Sequence, residues 1–351
     1  MSVRVRFAPS PTGSLHLGNA LTAVANRRFA DERVGALVLR IDDTDPSRTV
    51  AGGEDAIVED LAWLGLAFDE GPVRQSGRAA LYLEAVERAL HSGAATRDDD
   101  GSVRLRAGGT TLVRPDGSAT YQLASVVDDL ELGITHVIRG SDHRPNLPVQ
   151  TRIASALGRQ LPVVVHHGLV LGADGKKLSK RHAHSSIAEL RDEGFPPAAV
   201  RAYLEELGLP EHDVQLDLAR LRRLAIDAIA AMSDEELAGA ADAPVELAPV
   251  LRGARSLVEA RDYAALVLEP GSAELPSEAT PTLERFAELR AGSSERLTMD
   301  EARALVRELK AVGADLRALR LALTGSSTGP ELAAVLAALS REDALSRLRR
   351  A

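Results

Sequence analysis

The stretch GADGKKLSKRH, residues 172–182, concentrates an uncommon residue type. The chain holds only four lysines, Lys176, Lys177, Lys180 and Lys310, and three of them fall within five residues here. Elsewhere, Lys310 apart, its cations are arginines. A lysine ammonium is a compact charge on a flexible stem, whereas a guanidinium is a planar fork. A mobile point charge suits a phosphate whose geometry changes during a reaction. A solvated basic turn is the plainer alternative, but in this chain such a turn is expected to use arginine.

Three further stretches carry chemistry-bearing residues. APSPTGSLHLGN, residues 8–19, leads from a strand through a Pro/Gly loop into a helix beginning just past His16 and Gly18. A helix N-terminus offers unpaired N–H groups and a positive dipole to phosphate, small residues let a ligand approach the backbone, and His16 could hydrogen-bond a phosphate oxygen. A lone HxG is more often a plain β–α turn. RIDDTDPSR, 40–48, sets three carboxylates after a strand. They could bind an amine, a ribose or a metal-bound phosphate, or they could cap a helix and close a turn. YQLASVVDD, 121–129, with THVIRGSDH, 135–143, puts Tyr121 and Arg139 near strand ends. Arg139 suits a small carboxylate through a bidentate pair; either residue alone is more often structural.

The elements that must position these residues are legible as patterns. SVRVRFAP alternates apolar and charged residues and stops at Pro9, a strand. ALTAVANRRFADER has helical spacing, and GALVLRIDD is a second strand. Residues 2–43 thus form a parallel strand–helix–strand unit. GGEDAIVEDLAWLGL and SGRAALYLEAVERALHSG are helices, as is PVQTRIASALGR. SVRLRAG, TLVRPDGSATY and ITHVIRG are strand-like, and PVVVHHGLVL is expected to be a buried strand. From about Ser185 helix dominates. Breaks at Pro210 and at 270–281 mark a domain boundary and a linker. The expected fold is α/β first, then all-α.

Composition narrows the class. The chain has 351 residues, 45% hydrophobic, enough for two or three domains. No run of eighteen apolar residues offers a membrane span. The opening MSVRVRFAPSP reads into a strand rather than a signal peptide's apolar region. Cysteine is absent, which removes disulfides and thiolate zinc sites and fits a cytoplasmic location. Net charge is −9, spread over both halves, so neither half is a basic nucleic-acid module by bulk charge.

In order and spacing the stretches together resemble the glutamyl-tRNA synthetase family of class I aminoacyl-tRNA synthetases. RFAPSPTGSLHLGNA resembles that family's first signature, with HLGN in place of HIGH. LRIDDTD is similar to its IEDTD, ATYQLASVVDDLELGITHVIRGSDH to the block before the second signature, and LVLGADGKKLSKRH to KMSKS in a KLSKR form. LRLALTGSSTGPEL is similar to the family's C-terminal segment. The resemblance implies a Rossmann-like catalytic domain over residues 1–210. It implies a stem-contact-like helical region over 211–270 and a helical anticodon-binding-like region over 282–351. The activity implied is glutamate–tRNA ligation: ATP activates L-glutamate as glutamyl-AMP, which passes to the 3′ end of tRNA, expected to be tRNA-Glu. His16, Lys177 and Lys180 would be catalytic. Pro11, Gly13, Gly18, Asn19, Leu169, Leu178, Ser179 and His182 would join them around ATP and its Mg²⁺. Arg6, Ala8, Ser10, Asp42, Tyr121 and Arg139 would bind glutamate. The same resemblance implies a monomer without zinc or membrane attachment.

The chain departs from the family in places. Asp42 stands where the family has Glu, Ser141 replaces the Glu of RGEDH, and Ala183–His184 replace Gly-Ala. From His16 to Lys177 is only 161 positions, 177 less 16, where the family inserts an acceptor-stem domain. That insertion is expected to be much reduced, near 92–120. Two other readings therefore stand beside the ligase. One is a glutamyl-adenylate-forming enzyme that delivers glutamate to a modified tRNA base or a non-tRNA amine. The other is a catalytically silent synthetase paralogue.

Overall fold

Strand β1 (Arg4–Phe7) leaves through a Pro/Gly loop into helix α1 (Leu17–Asp31), which returns the chain to strand β2 (Ala36–Ile41). β1 and β2 pair in parallel with Val5 opposite Leu37 and Phe7 opposite Leu39. Helix α2 (Gly53–Trp63) leads to strand β3 (Glu70–Arg74), parallel to β2 on its outer side. Helix α3 (Ala79–His91) is followed by three short strands, β4 (Ala95–Arg97), β5 (Val103–Leu105) and β6 (Thr111–Val113). These form a separate antiparallel sheet. Helix α4 (Tyr121–Glu131) then feeds strand β7 (His136–Gly140), and helix α5 (Leu147–Ala156) feeds β8 (Val163–His167), parallel to β7. The coordinates are a computed structural model that describes residues 2–178, 184–272 and 274–349.

β7 lies against the side of β1 that β2 leaves open. The Thr135 amide donates to the Arg4 carbonyl at 2.8 Å, and the Arg4 amide donates to the Thr135 hydroxyl at 2.8 Å. The parallel sheets β3-β2-β1 and β7-β8 are separate hydrogen-bonded ladders that lie side by side, β7 beside β1. The chain winds outward from β1 in one direction and from β7 in the other. In such parallel sheets the crevice beyond the carboxyl ends of the two diverging strands is where ligands bind. Here those ends carry the 8–16 loop and Gly140–His143.

The interval 92–120 closes on a core of its own. Tyr82, Ala85, Val86 and Ala89 of α3 and Leu123, Ala124, Val126 and Val127 of α4 recur at helical spacing. They pack with Val103, Leu105, Leu112 and Val113 of the small sheet. Three short strands thus span the interval with no domain-sized insertion.

Strand β9 (Val170–Leu171) pairs in parallel with β10 (Val214–Gln215), carrying the first unit past Pro210. Between them lie helices α6 (Ile187–Asp192) and α7 (Pro197–Leu207). One unit comprises Met1–Arg191 and Val200–Leu218; the other comprises Asp192–Ala199 and Ala219–Ala351. The second unit is helical. Its helices are α8 (Leu218–Ala231), α9 (Asp234–Ala240), α10 (Ala248–Leu251), α11 (Leu257–Leu268), α12 (Thr280–Ala291), α13 (Met299–Ala311), α14 (Leu316–Thr324), α15 (Leu332–Ala338) and α16 (Arg341–Leu348). Capping boxes start α9 at Ser233 with Glu236 and α13 at Thr298 with Glu301. The wholly buried Arg290 donates to the carbonyls of Ser294, Glu295 and Leu339, tying the end of α12 to the segment before α16.

Three sequence expectations need correction. Tyr121 does not end a strand: it opens α4, whose N-cap Thr120 accepts the Leu123 amide. TLVRPDGSATY is strand only over Thr111–Val113, because the turn at Asp116–Gly117 reverses it at once. PVVVHHGLVL is two strands rather than one buried strand. β8 pairs on one side only, and Val163 at its start is 59% exposed.

Candidate active site

Arg6 and Arg139 sit on the two diverging strands, one residue short of each strand's end. Both are buried, at 6% exposure each. A buried guanidinium needs acceptors. Arg6 finds a carboxylate, its Nε donating to Asp129 at 3.0 Å. Arg40, at the end of β2, donates to Asp129 at 2.8 Å and chelates Asp42 at 2.6 and 3.1 Å. Asp129 thus bridges Arg6 to Arg40. Its neighbour Asp128 accepts from Gln75, Arg78 and Tyr82 at 2.7, 2.6 and 2.9 Å. Burial raises the Asp42 carboxyl above its ordinary value, against the pull of Arg40.

Arg139 differs. Its Nε donates to His166 Nε2 at 3.3 Å and its terminal nitrogen to Gln150 Oε1 at 2.9 Å. Both acceptors are neutral. Among the described residues no carboxylate lies within ion-pair distance of it. Burial accordingly lowers its pKa, and nearby Arg6 adds to that effect. His166 is pushed down to about 4 by burial and by Arg139, so it stays a neutral acceptor. Tyr121 lies within electrostatic reach of Asp42, Arg6 and Arg139, and burial raises its phenol. The structure therefore gathers Arg6, Asp42, Tyr121 and Arg139 into one polar cluster with one uncompensated cation.

The loop after β1 is held rigidly. The Asp42 amide donates to the Pro9 carbonyl at 2.9 Å, and the Val50 amide donates to the Pro11 carbonyl at 3.0 Å. Gly53 lies so close that a Cβ there would stand 2.4 Å from the Pro11 oxygen. Ala8 and Ser10 in this loop are half-buried, Pro11 is buried, and Gly13 takes φ 102°. Asp60 accepts from the Ser14 hydroxyl at 2.7 Å and the Leu15 amide at 2.8 Å. His16 is the N-cap position of α1, with extended backbone. Gly18 faces open space, and Asn19 is exposed beside it.

The lysine-rich motif is a hairpin. The Gly172 amide donates to the Lys176 carbonyl at 2.8 Å, and Leu171 bridges to Lys177. Lys177 is exposed and pairs with Asp142, two residues beyond β7, while Leu178 is buried. Burial would raise the Asp142 carboxyl, but Lys177 and His143 hold it below the usual range. Leu169 lies over Gly140: a Cβ on that glycine would stand 3.0 Å from a Leu169 methyl. The chain returns from this motif against the first one. Leu17 donates to the Ser185 carbonyl and Ile187 to the Leu15 carbonyl, both at 2.9 Å. Ser179, Lys180 and His182 lie outside the described residues.

Of the three carboxylates in RIDDTDPSR only Asp42 faces the cluster. Asp43 accepts from the Ser76 amide and hydroxyl, and Asp45 closes its own turn through Ser47. Sequence reasoning did not single out Arg40, Asp128, Asp129 or Gln150. The signal for the two aspartates was present: adjacent acids in the otherwise apolar ASVVDD, where a buried acid must have partners. Among the described residues no three His, Asp or Glu side chains are placed to hold a metal ion, and no helix is long and apolar enough to cross a membrane.

The chain is similar to known proteins along its whole length. The family model described as tRNA synthetases class I (E and Q), catalytic domain, matches residues 2–111 and 100–225. Its two pieces meet in the small antiparallel sheet. The model described as anticodon binding domain matches 225–351. The glutamate–tRNA ligase 1 of Rubrobacter xylanophilus is 36% identical over 429 aligned positions, spanning 100% of this chain and 98% of that one. At least 78 of those positions, 429 less 351, are gaps in this chain. The corresponding ligase of Methylobacterium sp. strain 4-46 is 33% identical, spanning 99% and 98%. The crystal structure of a glutamate tRNA ligase from Elizabethkingia meningosepticum in complex with its amino acid superposes with a TM-score of 0.80 at 21% identity, covering 99% of each chain, a likeness of fold. With the catalytic model matched from residue 2 to 225 and relatives aligned along the whole chain, this protein belongs to the class I tRNA synthetases of the E and Q type.

Proposed function

We propose that the chain is a glutamate–tRNA ligase: it joins L-glutamate to ATP as glutamyl-AMP, then passes the glutamyl group to the 3′ end of tRNA, with release of AMP. Arg139 carries this reading. A buried guanidinium whose hydrogen-bond acceptors among the described residues are neutral can offer its charge to a ligand anion, and a guanidinium matches a carboxylate bidentately. Arg6 and Tyr121 supply the remaining contacts to the glutamate side chain, and Ser10 with Asp42 receive the α-amino group. Asp42 is already chelated by Arg40, so it meets an ammonium as one member of a charge network.

The chemistry is in-line displacement. A glutamate α-carboxylate oxygen bonds to the α-phosphorus, and the bond to the departing pyrophosphate breaks. The tRNA terminal hydroxyl then attacks the acyl carbon, and AMP leaves. No protein nucleophile is required, so the residues act by positioning and by stabilising charge. His16 and the N-terminus of α1 support the phosphates on one side. Lys177 and Lys180 support them on the other, and Lys177 exchanges Asp142 for phosphate as charge develops. Pro11, Gly13, Gly18, Asn19, Leu169, Leu178, Ser179 and His182 complete the ATP site. Mg²⁺ would accompany the triphosphate. Residues 211–270 and 282–351 serve tRNA. A groove lined by Arg303, Arg307, Lys310 and Arg320, with Glu331 paired to Arg303, supports that role and contains the fourth lysine. The protein acts as a monomer in the cytoplasm.

The reduced 92–120 interval favours a second reading, in which glutamyl-AMP forms but the acceptor is a modified tRNA base or a small amine. Glutamate-dependent ATP–pyrophosphate exchange, with and without total tRNA, tests activation itself. Lys180→Ala should lower activation by a factor on the order of 10²–10³, the scale of one transition-state contact. Undiminished exchange in that variant would remove Lys180 from the phosphate site.

A further inference from the structure

Arg139 keeps its charge because of what Gln150 is. Gln150 is 4% exposed and Ser125 is 2% exposed. The Gln150 amide accepts from Arg139 at 2.9 Å and donates from Nε2 to the Ser125 hydroxyl at 3.1 Å. Ser125 in turn donates to the Gln122 carbonyl at 3.3 Å. A guanidinium only donates, so Gln150 must turn Oε1 to Arg139, and its Nε2 then faces the Ser125 oxygen. Reversing the amide would point NH₂ at the guanidinium and leave the Ser125 oxygen facing a carbonyl. The other buried arginines of this cluster, Arg6 and Arg40, end on aspartates. At the corresponding position on Arg139 the chain places the neutral isostere of a glutamate.

We infer that Gln150, oriented by Ser125, is a positioning and specificity residue: it fixes Arg139 without neutralising it, so the site selects a ligand with a negatively charged side-chain carboxylate over its uncharged amide. A carboxylate at 150 would occupy the same volume and cancel the charge the ligand must meet. A buried cation left short of an anion discriminates strongly against neutral isosteres, because they cannot replace the missing charge. This inference rests on the assignment of Arg139 to the glutamate side chain.

The test uses the full chain in ATP–pyrophosphate exchange in the presence of tRNA, with glutamate and glutamine compared. Thermal unfolding reports the fold of each variant, and calorimetry reports glutamate binding directly. Gln150→Glu should raise the glutamate KM by roughly 10–100-fold, the size of one charge-assisted contact. It should leave the ATP KM unchanged and reduce the glutamate-over-glutamine preference by a similar factor. Gln150→Met, which removes the hydrogen bond but adds no charge, should shift glutamate KM several-fold less than Gln150→Glu. Ser125→Ala should act in the same direction as Gln150→Met and spare ATP. Equal effects of Glu and Met at 150 would reduce Gln150 to a packing residue and overturn the inference. So would an unchanged glutamate-over-glutamine ratio in Gln150→Glu. If Gln150→Glu fails to fold, an unchanged ratio in Gln150→Met together with a glutamate KM that does not move overturns it. Arg139→Ala separates the two levels. If its glutamate KM stays at the wild-type value, the side-chain subsite itself is wrong. If its KM rises while the variants at 150 behave as wild type, only the role of Gln150 fails.

Discussion

Two buried arginines of similar exposure have opposite electrostatic situations, and the difference is the substance of the site. Arg40 is enclosed by Asp42 and Asp129. Removing it strands the buried Asp42 carboxylate and leaves Asp129 with Arg6 alone, so Arg40→Met should destabilise the fold by about 3–5 kcal/mol, the cost of breaking a buried pair from one side. Chemical denaturation measures this, and a loss below 1 kcal/mol would contradict the network. Arg139 donates to neutral acceptors among the described residues. Arg139→Ala should cost less stability yet raise the glutamate requirement far more than the ATP requirement; equal effects on both would sink its assignment. His166 gives a pH signature. Its pKa falls to about 4 in the fold, with Arg139, Arg144, His143 and His167 all disfavouring its charge. The unfolded chain, near the ordinary 6.5, therefore binds more protons between these two values. Stability should rise with pH from about 4 to 6.5 and level off above. His166→Asn should flatten that part of the profile.

At the scale of elements, the parallel core was legible because its strands alternate or run apolar between Pro/Gly loops. The position of His16 at the start of α1 followed from the same pattern. What escaped was whatever depends on partners distant in sequence. EGPVR forms β3 although Gly71 and Pro72 argue against a strand; an edge position tolerates them. Tyr121 was misplaced because β6 ends after only three residues. Arg6, Arg40, Asp128 and Asp129 are charged in sequence and buried in the fold, and only their mutual pairing explains it. Gln150 carries no sequence signal, since its meaning comes from Arg139 and Ser125. Gly53 shows how elements set the loop. Gly53→Ala would push a Cβ against the Pro11 carbonyl, a backbone contact at 2.4 Å that cannot yield cheaply. The expected cost is about 1–3 kcal/mol with a raised ATP requirement. Thermal unfolding and ATP titration measure it, and wild-type values in both would show that the 8–16 loop is not held by α2.

For the molecule as a whole, the net charge of −9 sets a constraint on a partner that is itself a polyanion. Affinity for tRNA must come from local cations rather than bulk attraction. The groove with Arg303, Arg307, Lys310 and Arg320 is such a place. Arg307→Glu should raise the tRNA KM roughly tenfold and weaken its salt dependence by about one phosphate contact. It should leave the glutamate and ATP requirements alone, and an unchanged tRNA KM would remove the groove from the tRNA path. The catalytic unit sets β3-β2-β1 beside β7-β8 without a domain-sized insertion between α3 and α4, so activation and transfer are separable questions in this chain. The measurement that decides between them is charging of total tRNA with labelled glutamate, followed by mild alkaline treatment. Mild alkali releases the label from any ester, so nuclease digestion of an untreated portion at acid pH then locates it. A ligase leaves glutamate on the 3′-terminal nucleoside of tRNA. Label on an internal nucleotide, or pyrophosphate exchange with no label on tRNA at all, would contradict the account.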